Sequence, residues 1–290
     1  MADVLTPDPG REFTLEFLLA QLRALRLFRL AEEMPSLLEE AAKDGWGQLG
    51  LLSEIFRREG LRLSQRRFER NMKASGLNES YGIDHFNFEL ALEHGVSGAV
   101  VRDLVQCEFL RARRNIILAG GVGTGKTYLA KTIGVEALKR GFKVFFFNTA
   151  NLLDMIHSKR NSFQFGKVYA RIRDVDLIVL DDLAYLPYSA EKVEYLFSLV
   201  VDRYELKTGS AIVTSNTDVM EWWRFFPSKA MGMAFSDRLL DGAQGIRLGG
   251  ESIRGPHGKP KDTKPPGNTP KADEAKDGPT DLEGPPKDKD

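Results

Sequence analysis

The spacing of apolar residues changes near residue 115. Before it, Leu15, Leu18, Leu22 and Leu25 recur at intervals of three and four, the stripe of one amphipathic helix face. Gly45, Gly47 and Gly60 separate further amphipathic runs, Gly76 is placed to cap the last of them, and no strand is apparent. Residues 13 to about 76 therefore read as a helical module. From Asn115 the pattern becomes short apolar runs alternating with helical spacing: strand 115–119 "NIILA", a helix carrying Leu129, Ile133, Ala137 and Leu138, strand 144–148 "VFFFN" and a helical stretch. Strand 177–181 "LIVLD", a helix over about 190–206 and strand 211–216 "AIVTSN" complete it. Such alternation predicts an α/β fold, a parallel sheet covered by helices. The expected division is an N-terminal helical domain over 1–76, a linker and lead-in helix over 77–114, an α/β core over 115–254 and a tail over 255–290. That tail holds 8 of the 13 prolines, 7 lysines and 8 acidic residues, with Ala272, Ala275 and Leu282 as its apolar residues. It buries too little surface to offset its ordering entropy and is expected to be disordered.

Composition narrows the setting. At 290 residues the chain has room for about two domains. Lys plus Arg equals Asp plus Glu at 41 each, so net charge selects no partner and only local clusters can. The single cysteine, Cys107, makes no internal disulfide, and no N-terminal signal pattern is visible. The most apolar early segment is interrupted by Glu16, Gln21, Arg23, Arg26 and Arg29, too polar to span a bilayer. A cytoplasmic protein without a membrane partner is the expectation. His85, His94, His157 and His257 show no metal-ligand spacing and read as surface or loop residues.

The chemistry is concentrated at the ends of three strands. Gly120, Gly121, Val122, Gly123, Thr124, Gly125, Lys126 and Thr127 form G-x-x-x-x-G-K-[ST] between a strand and a helix, and Tyr128 continues the helix start. Glycines let successive backbone N–H groups curl round a polyphosphate at a helix N-terminus. Lys126 reaches the β/γ oxygens, and the Thr127 hydroxyl can hold Mg²⁺. "LIVLDD" supplies carboxylates at the end of a buried strand. Asp181 is the metal-side ligand, usually through water, and Asp182 is placed to orient or deprotonate an attacking water. Asn216, after the next strand, is a candidate to hold the same water or the γ-phosphate. Phe86 and Phe88 are open to packing in the core or against adenine. A guanine-specific N-K-x-D element is missing, "SNTDV" being the nearest, and "LGGES" is not the L-S-G-G-Q of a transporter ATPase. An arginine-rich kinase lid cannot be identified either. What remains is an ATPase that borrows its missing positive charge from a neighbour.

Two clusters break the charge balance and are the candidate DNA contacts, phosphate-directed and nearly sequence-independent. Arg57, Arg58, Arg62, Arg66, Arg67, Arg70 and Lys73 stand against Glu59 and Glu69, with Arg62, Arg66, Arg70 and Lys73 on one helix face. In "HSKRNSFQFGKVYARIR", Lys159, Arg160, Lys167, Arg171 and Arg173 occur with no acidic residue.

In order, "LAGGVGTGKTYLAKTIGVEALKRGFKVFFFNTANLLD", "DLIVLDDLAYLP", "AIVTSN", "AFSDRLLDGA" and "IRLGGESIR" resemble the IstB-type transposition-helper ATPases, relatives of DnaC helicase loaders within the AAA+ superfamily. "LRALRLFRLAEEMPSLLEEAA" and "CEFLRARRNIIL" resemble the helical domain and the linker that precede the ATPase in that family, so the likeness covers roughly residues 15 to 254. It implies a P-loop NTPase sheet of AAA+ type, with ATP and Mg²⁺ as cofactors. It implies assembly on double-stranded DNA as a homo-oligomer with shared ATP sites, and recruitment of a transposase. A replicative helicase as partner, or a nucleotide-gated DNA scaffold with little hydrolysis, are the alternatives. Arg238, in "FSDRLL", falls at the arginine-finger position completing an adjacent protomer's site, and Arg254 falls on a family motif. DNA-contacting elements of similar initiators and loaders lie between the second and third strands, where Lys159 to Arg173 fall. Asp182 stands where most AAA+ enzymes place Glu, implying slow hydrolysis stimulated by DNA or a partner.

Overall fold

The computed structural model describes residues 14–183 and 189–250, so Arg254 and the tail expected over 255–290 lie outside the described residues. The described residues form two compact units, divided between Arg67 and Phe68.

The first unit is helical. Helices α1 (Leu15–Ala24) and α2 (Phe28–Lys43) and the first turns of α3 (Gln48–Ser75) enclose Leu22, Leu30, Ala31, Met34 and Leu37. Two expectations change here. Of the predicted stripe, Leu22 is buried and Leu18 packs beside it, but Leu15 and Leu25 are exposed. The reason is that α1 stops at Ala24, and Arg26 takes a left-handed φ of 60° that turns the chain into α2. Gly60 does not separate two helices, because α3 runs through it. One helical glycine costs about 1 kcal/mol. Around it Arg57 and Arg58 pair with Glu54, and Arg62 with Glu59, each one turn apart. Gly76, at φ 75°, follows the end of α3 as a glycine cap should.

The second unit opens with the end of α3, where Phe68 and Met72 pack on the core. Short turns at Glu79–Tyr81 and Ile83–His85 lead to α4 (Phe88–Glu93), α5 (Gly98–Val105) and α6 (Glu108–Arg111). Then come β1 (Ile116–Gly120), α7 (Lys126–Lys139), β2 (Val144–Asn148), α8 (Thr149–Lys159), α9 (Phe165–Arg173), β3 (Leu177–Asp181) and α10 (Ala190–Leu206). The order closes with β4 (Ser210–Ser215), a turn of helix at Val219–Phe225, α11 (Lys229–Leu240) and β5 (Gln244–Leu248). The five strands are parallel in the order β2-β3-β4-β1-β5, the predicted sheet with one further strand at its edge.

Both faces of this sheet are covered, so its inner strands are continuous apolar runs whose residues alternate between two cores. Ile116, Leu118, Phe146, Val179 and Ile212 pack against α5 and α7, and Ile117, Phe145, Ile178, Leu180 and Val213 against α8 to α11. The N-terminal strand ends are fastened by a buried cation. Arg203 donates to the carbonyls of Arg173, Val175 (3.0 Å) and Ser210 (2.9 Å). Burial lowers its pKa to about 10, which leaves it charged at neutral pH. Cys107 is buried too, and burial pushes its thiol up to about 12, away from reactivity. Of the histidines read as surface or loop residues, His94 lies in the turn after α4 but is buried, with Nδ1 2.6 Å from the Gly249 carbonyl. Among the described residues no helix is long and apolar enough to cross a membrane, and no cluster of potential metal-ligating His, Cys, Asp and Glu is found.

A Cβ at Gly60 would meet nothing within 4 Å. Gly60→Ala is therefore expected to stabilise the chain by about 0.5–1 kcal/mol, chiefly by restricting the unfolded chain. Chemical denaturation checks it, and a lower midpoint would refute the continuous helix.

Candidate phosphate-binding site

The loop between β1 and α7 is shaped by close approach. A Cβ on Gly120 would lie 2.0 Å from the Leu248 carbonyl oxygen of β5, so only glycine fits beside that strand. Gly123 (φ 77°) and Gly125 (φ 88°) hold left-handed conformations, and Gly125 caps α7 directly. Lys126, Thr127 and Tyr128 thus open a 14-residue helix whose first N–H groups lack intrahelical partners. Lys126 is buried and folds back on the loop, donating to the carbonyls of Gly120 (2.9 Å) and Gly121 (2.6 Å). Gly121 also accepts from the Thr124 hydroxyl at 3.0 Å.

The sheet order brings the carboxylates to this loop. Because β4 lies between β1 and β3, its end separates Gly120 from Asp181 and points Thr214 at the latter. Asp181 is 6% exposed. Its Oδ1 accepts from the Thr127 hydroxyl at 2.8 Å and from the Thr214 hydroxyl at 2.6 Å, while Thr149 donates to its main-chain carbonyl at 2.8 Å. Oδ2 takes part in none of these bonds. Burial raises the Asp181 pKa above its ordinary value; the two hydroxyls oppose the shift, and the nearby charge of Asp182 adds to it. Asp182 turns sharply out of β3 with φ 53°, held by its N–H donating to Thr214 Oγ1 at 2.9 Å, and Leu183 N–H donates to the Thr214 carbonyl at 3.0 Å. Asn216 is half-buried just beyond β4. There Ser215 Oγ accepts from the Thr217 N–H (3.1 Å) and from Trp222 Nε1 (3.0 Å), shaping the turn.

Lys126, Thr127, Asp181, Asp182 and Asn216 therefore sit at one edge of the sheet. Thr214 joins them and was not foreseen. Phe86 packs on the core that β1 shares with α5 and α7 and stacks on Tyr128 at 5.6 Å, Phe88 meets Phe86 edge-on at 5.2 Å, and the Tyr128 hydroxyl donates to the His85 carbonyl.

Arg238 does not join this group. It lines a cleft of about 640 Å³ with Asn115, Gly209 and Ala211, at the N-terminal ends of the strands and so at the opposite edge from the loop. It donates to the Ala234 carbonyl at 2.8 Å, and its Nε is buried without a hydrogen-bond partner among the described residues. In the first basic cluster Arg62 pairs with Glu33 and Glu59, Arg57 and Arg58 with Glu54, and Arg66 and Arg70 are exposed. In the second, Arg160 meets Glu191 of α10 at 2.6 Å and Arg171 lies over the Phe145 ring at 5.4 Å. Lys167 is exposed and Lys159 half-buried.

Residues 20–260 match the family model described as IstB-like ATP binding protein. An insertion-sequence ATP-binding protein of Sinorhizobium fredii is 32% identical over 80% of this chain and 77% of its own. The IS21 ATP-binding protein of Pseudomonas aeruginosa is 30% identical over 83% of this chain and 88% of its own. The crystal structure of a DnaC helicase loader is more distant, with a TM-score of 0.44 and 20% identity over 52% of this chain and 86% of that one.

Thr214 both steadies the Asp181 carboxylate and satisfies the Asp182 N–H. Thr214→Val keeps the volume and removes both bonds, so a loss of about 1–3 kcal/mol is expected, with Thr214→Ser recovering most of it. Wild-type stability of the valine variant in a denaturant titration would rule that role out.

Proposed function

Because the chain belongs to the IstB-like ATP-binding protein family, we propose that it binds ATP with Mg²⁺ at the β1–α7 loop and hydrolyses it slowly. In this reading it assembles on duplex DNA and recruits a transposase. The observation that carries the reading is the bond between Thr127 of the phosphate loop and Asp181 of β3. A hydroxyl and a buried carboxylate, with Oδ2 outside their hydrogen bond, are the hard oxygen donors that suit Mg²⁺. Thr127 would hold the ion directly and Asp181 through water. The ion supplies neutralisation of charge on the β and γ oxygens.

The chain's own groups divide the remaining work. Lys126 exchanges its two loop carbonyls for phosphate oxygens, and the first N–H groups of α7 take the others. Asp182, aimed by its left-handed backbone and by Thr214, orients the attacking water with Asn216. Arg238 stands at the far edge of its own sheet, which supports its use by the site of a neighbouring protomer. The insertion-sequence relatives support a transposase as partner. For DNA, residues 155–173 carry five Lys and Arg without an acid, suited to phosphate-directed, salt-dependent binding.

Complementation tests the shared site. Lys126→Ala is expected to fold but lose ATP binding. Arg238→Ala should bind ATP almost normally and hydrolyse it about a thousandfold more slowly, the scale of arginine fingers. Mixed on DNA, the two place an intact Arg238 beside an intact loop, so phosphate release should exceed the sum of the separate variants. No recovery in verified mixed oligomers, or a fully active Arg238→Ala, rejects the shared site; unchanged ATP affinity of Lys126→Ala rejects the loop.

A further inference from the structure

In the short connection between α8 and α9, "RNSFQFG", two phenylalanines have opposite fates. Phe165 stacks on Tyr169 at 5.9 Å, approaches Tyr195 at 6.0 Å and packs on the core beneath the sheet. Phe163, two residues earlier, is 101% exposed, more than any other large apolar side chain among the described residues. This is not a frayed end. Ser162 N–H donates to the Lys159 carbonyl at 2.8 Å, and Phe165 N–H donates to the Ser162 carbonyl at 3.0 Å. Phe163 is therefore the second residue of a hydrogen-bonded turn, anchored on its far side by Phe165. A ring presented from a fixed turn has already lost part of the freedom it would otherwise lose on binding.

The surroundings indicate what it meets. From Met155 to Arg173 no acidic residue occurs, and the neighbouring acids are engaged: Asp154 by Lys192, Glu191 by Arg160 and Asp174 by Arg173. Lys159 and Lys167 lie on either side of the turn in sequence, and neither meets an acid among the described residues. A fully exposed aromatic ring between unengaged cations matches the two faces of a nucleic acid, apolar base plane and anionic backbone. Resting on the DNA-binding reading above, we propose that Phe163 is a base-stacking element. Its ring packs on the base stack of bound DNA while Lys159 and Lys167 hold phosphates beside it. In a duplex the ring acts as a wedge at a base step; on a single strand it stacks on an unpaired base.

The test uses the full chain with a non-hydrolysable ATP analogue and DNA carrying 2-aminopurine, as a mixed-sequence duplex and as the single strand. Wild type should raise the fluorescence of the duplex by unstacking, or quench that of the single strand by stacking, and either change supports the proposal. Phe163→Ala should melt with the wild type, lose the fluorescence change and bind about tenfold more weakly at an unchanged salt slope, since no phosphate contact is lost. Phe163→Trp should restore the affinity. Lys159→Glu with Lys167→Glu should do the reverse, flattening the slope by about one unit per lost contact while keeping the fluorescence change of the bound complex. If wild type binds DNA and Phe163→Ala matches it in affinity and fluorescence, the proposal falls and the DNA reading survives. It falls equally if Phe163→Ala loses only self-association, which would make the ring a protein contact. If wild type binds neither DNA, the underlying reading fails and takes the proposal with it.

Discussion

A carboxylate taken out of water costs several kcal/mol unless charge or hydrogen bonds compensate it, and Asp181 is such a group. The residues around it are best understood as the compensation. Thr127 reaches it from the start of α7, Thr214 from β4, and Thr149 secures its main chain from the start of α8. These hydroxyls arrive only because β4 is inserted between β1 and β3 and because both neighbouring helices begin at the same edge. Burial still outweighs the two hydroxyls and raises the Asp181 pKa above its ordinary value. The sharp exit of Asp182 belongs to the same arrangement, since one hydroxyl fixes both acids.

Parallel strands give the sheet two chemically unlike edges. Where the strands end, helix N-termini, glycines and carboxylates meet. Where they begin, Arg203 clamps three carbonyls, Asn115 bridges the Leu239 carbonyl and the Ala211 N–H, and Arg238 lines the cleft beside them together with Glu205 and Asp241. A chain built this way carries the candidate phosphate loop at one edge and the Arg238 guanidinium at the other. The shared site proposed above would need these unlike edges to meet head to tail.

Most of this fold was legible because buried parallel strands are apolar runs and glycine loops have fixed spacing. The first four strands fell within a residue of their predicted limits, and α10 matched its predicted span. Three failures share one cause, that their partners are distant in sequence. In "QGIRL" Leu248 alone is buried, so β5 has no apolar signature and exists through its pairing with β1. Thr214 looked like an ordinary strand threonine until β4 was placed beside β3. Glu191 reaches Arg160 from α10, which a local acid-free run could not reveal. Gly60 failed differently, because a single weak residue was outweighed by good helix formers and ion pairs on both sides.

Lys126 solvates its own ammonium with the carbonyls of Gly120 and Gly121, and for the proposed phosphate site this favours a selective receptor over a general anion trap. A small anion that engages the ammonium alone must replace two charge-assisted bonds and gains little in exchange. On the reading proposed above, a chain of phosphates would do the same while also meeting the first N–H groups of α7. In that reading, discrimination would be set by the length of the ligand's anionic chain, and orthophosphate would be a poor competitor.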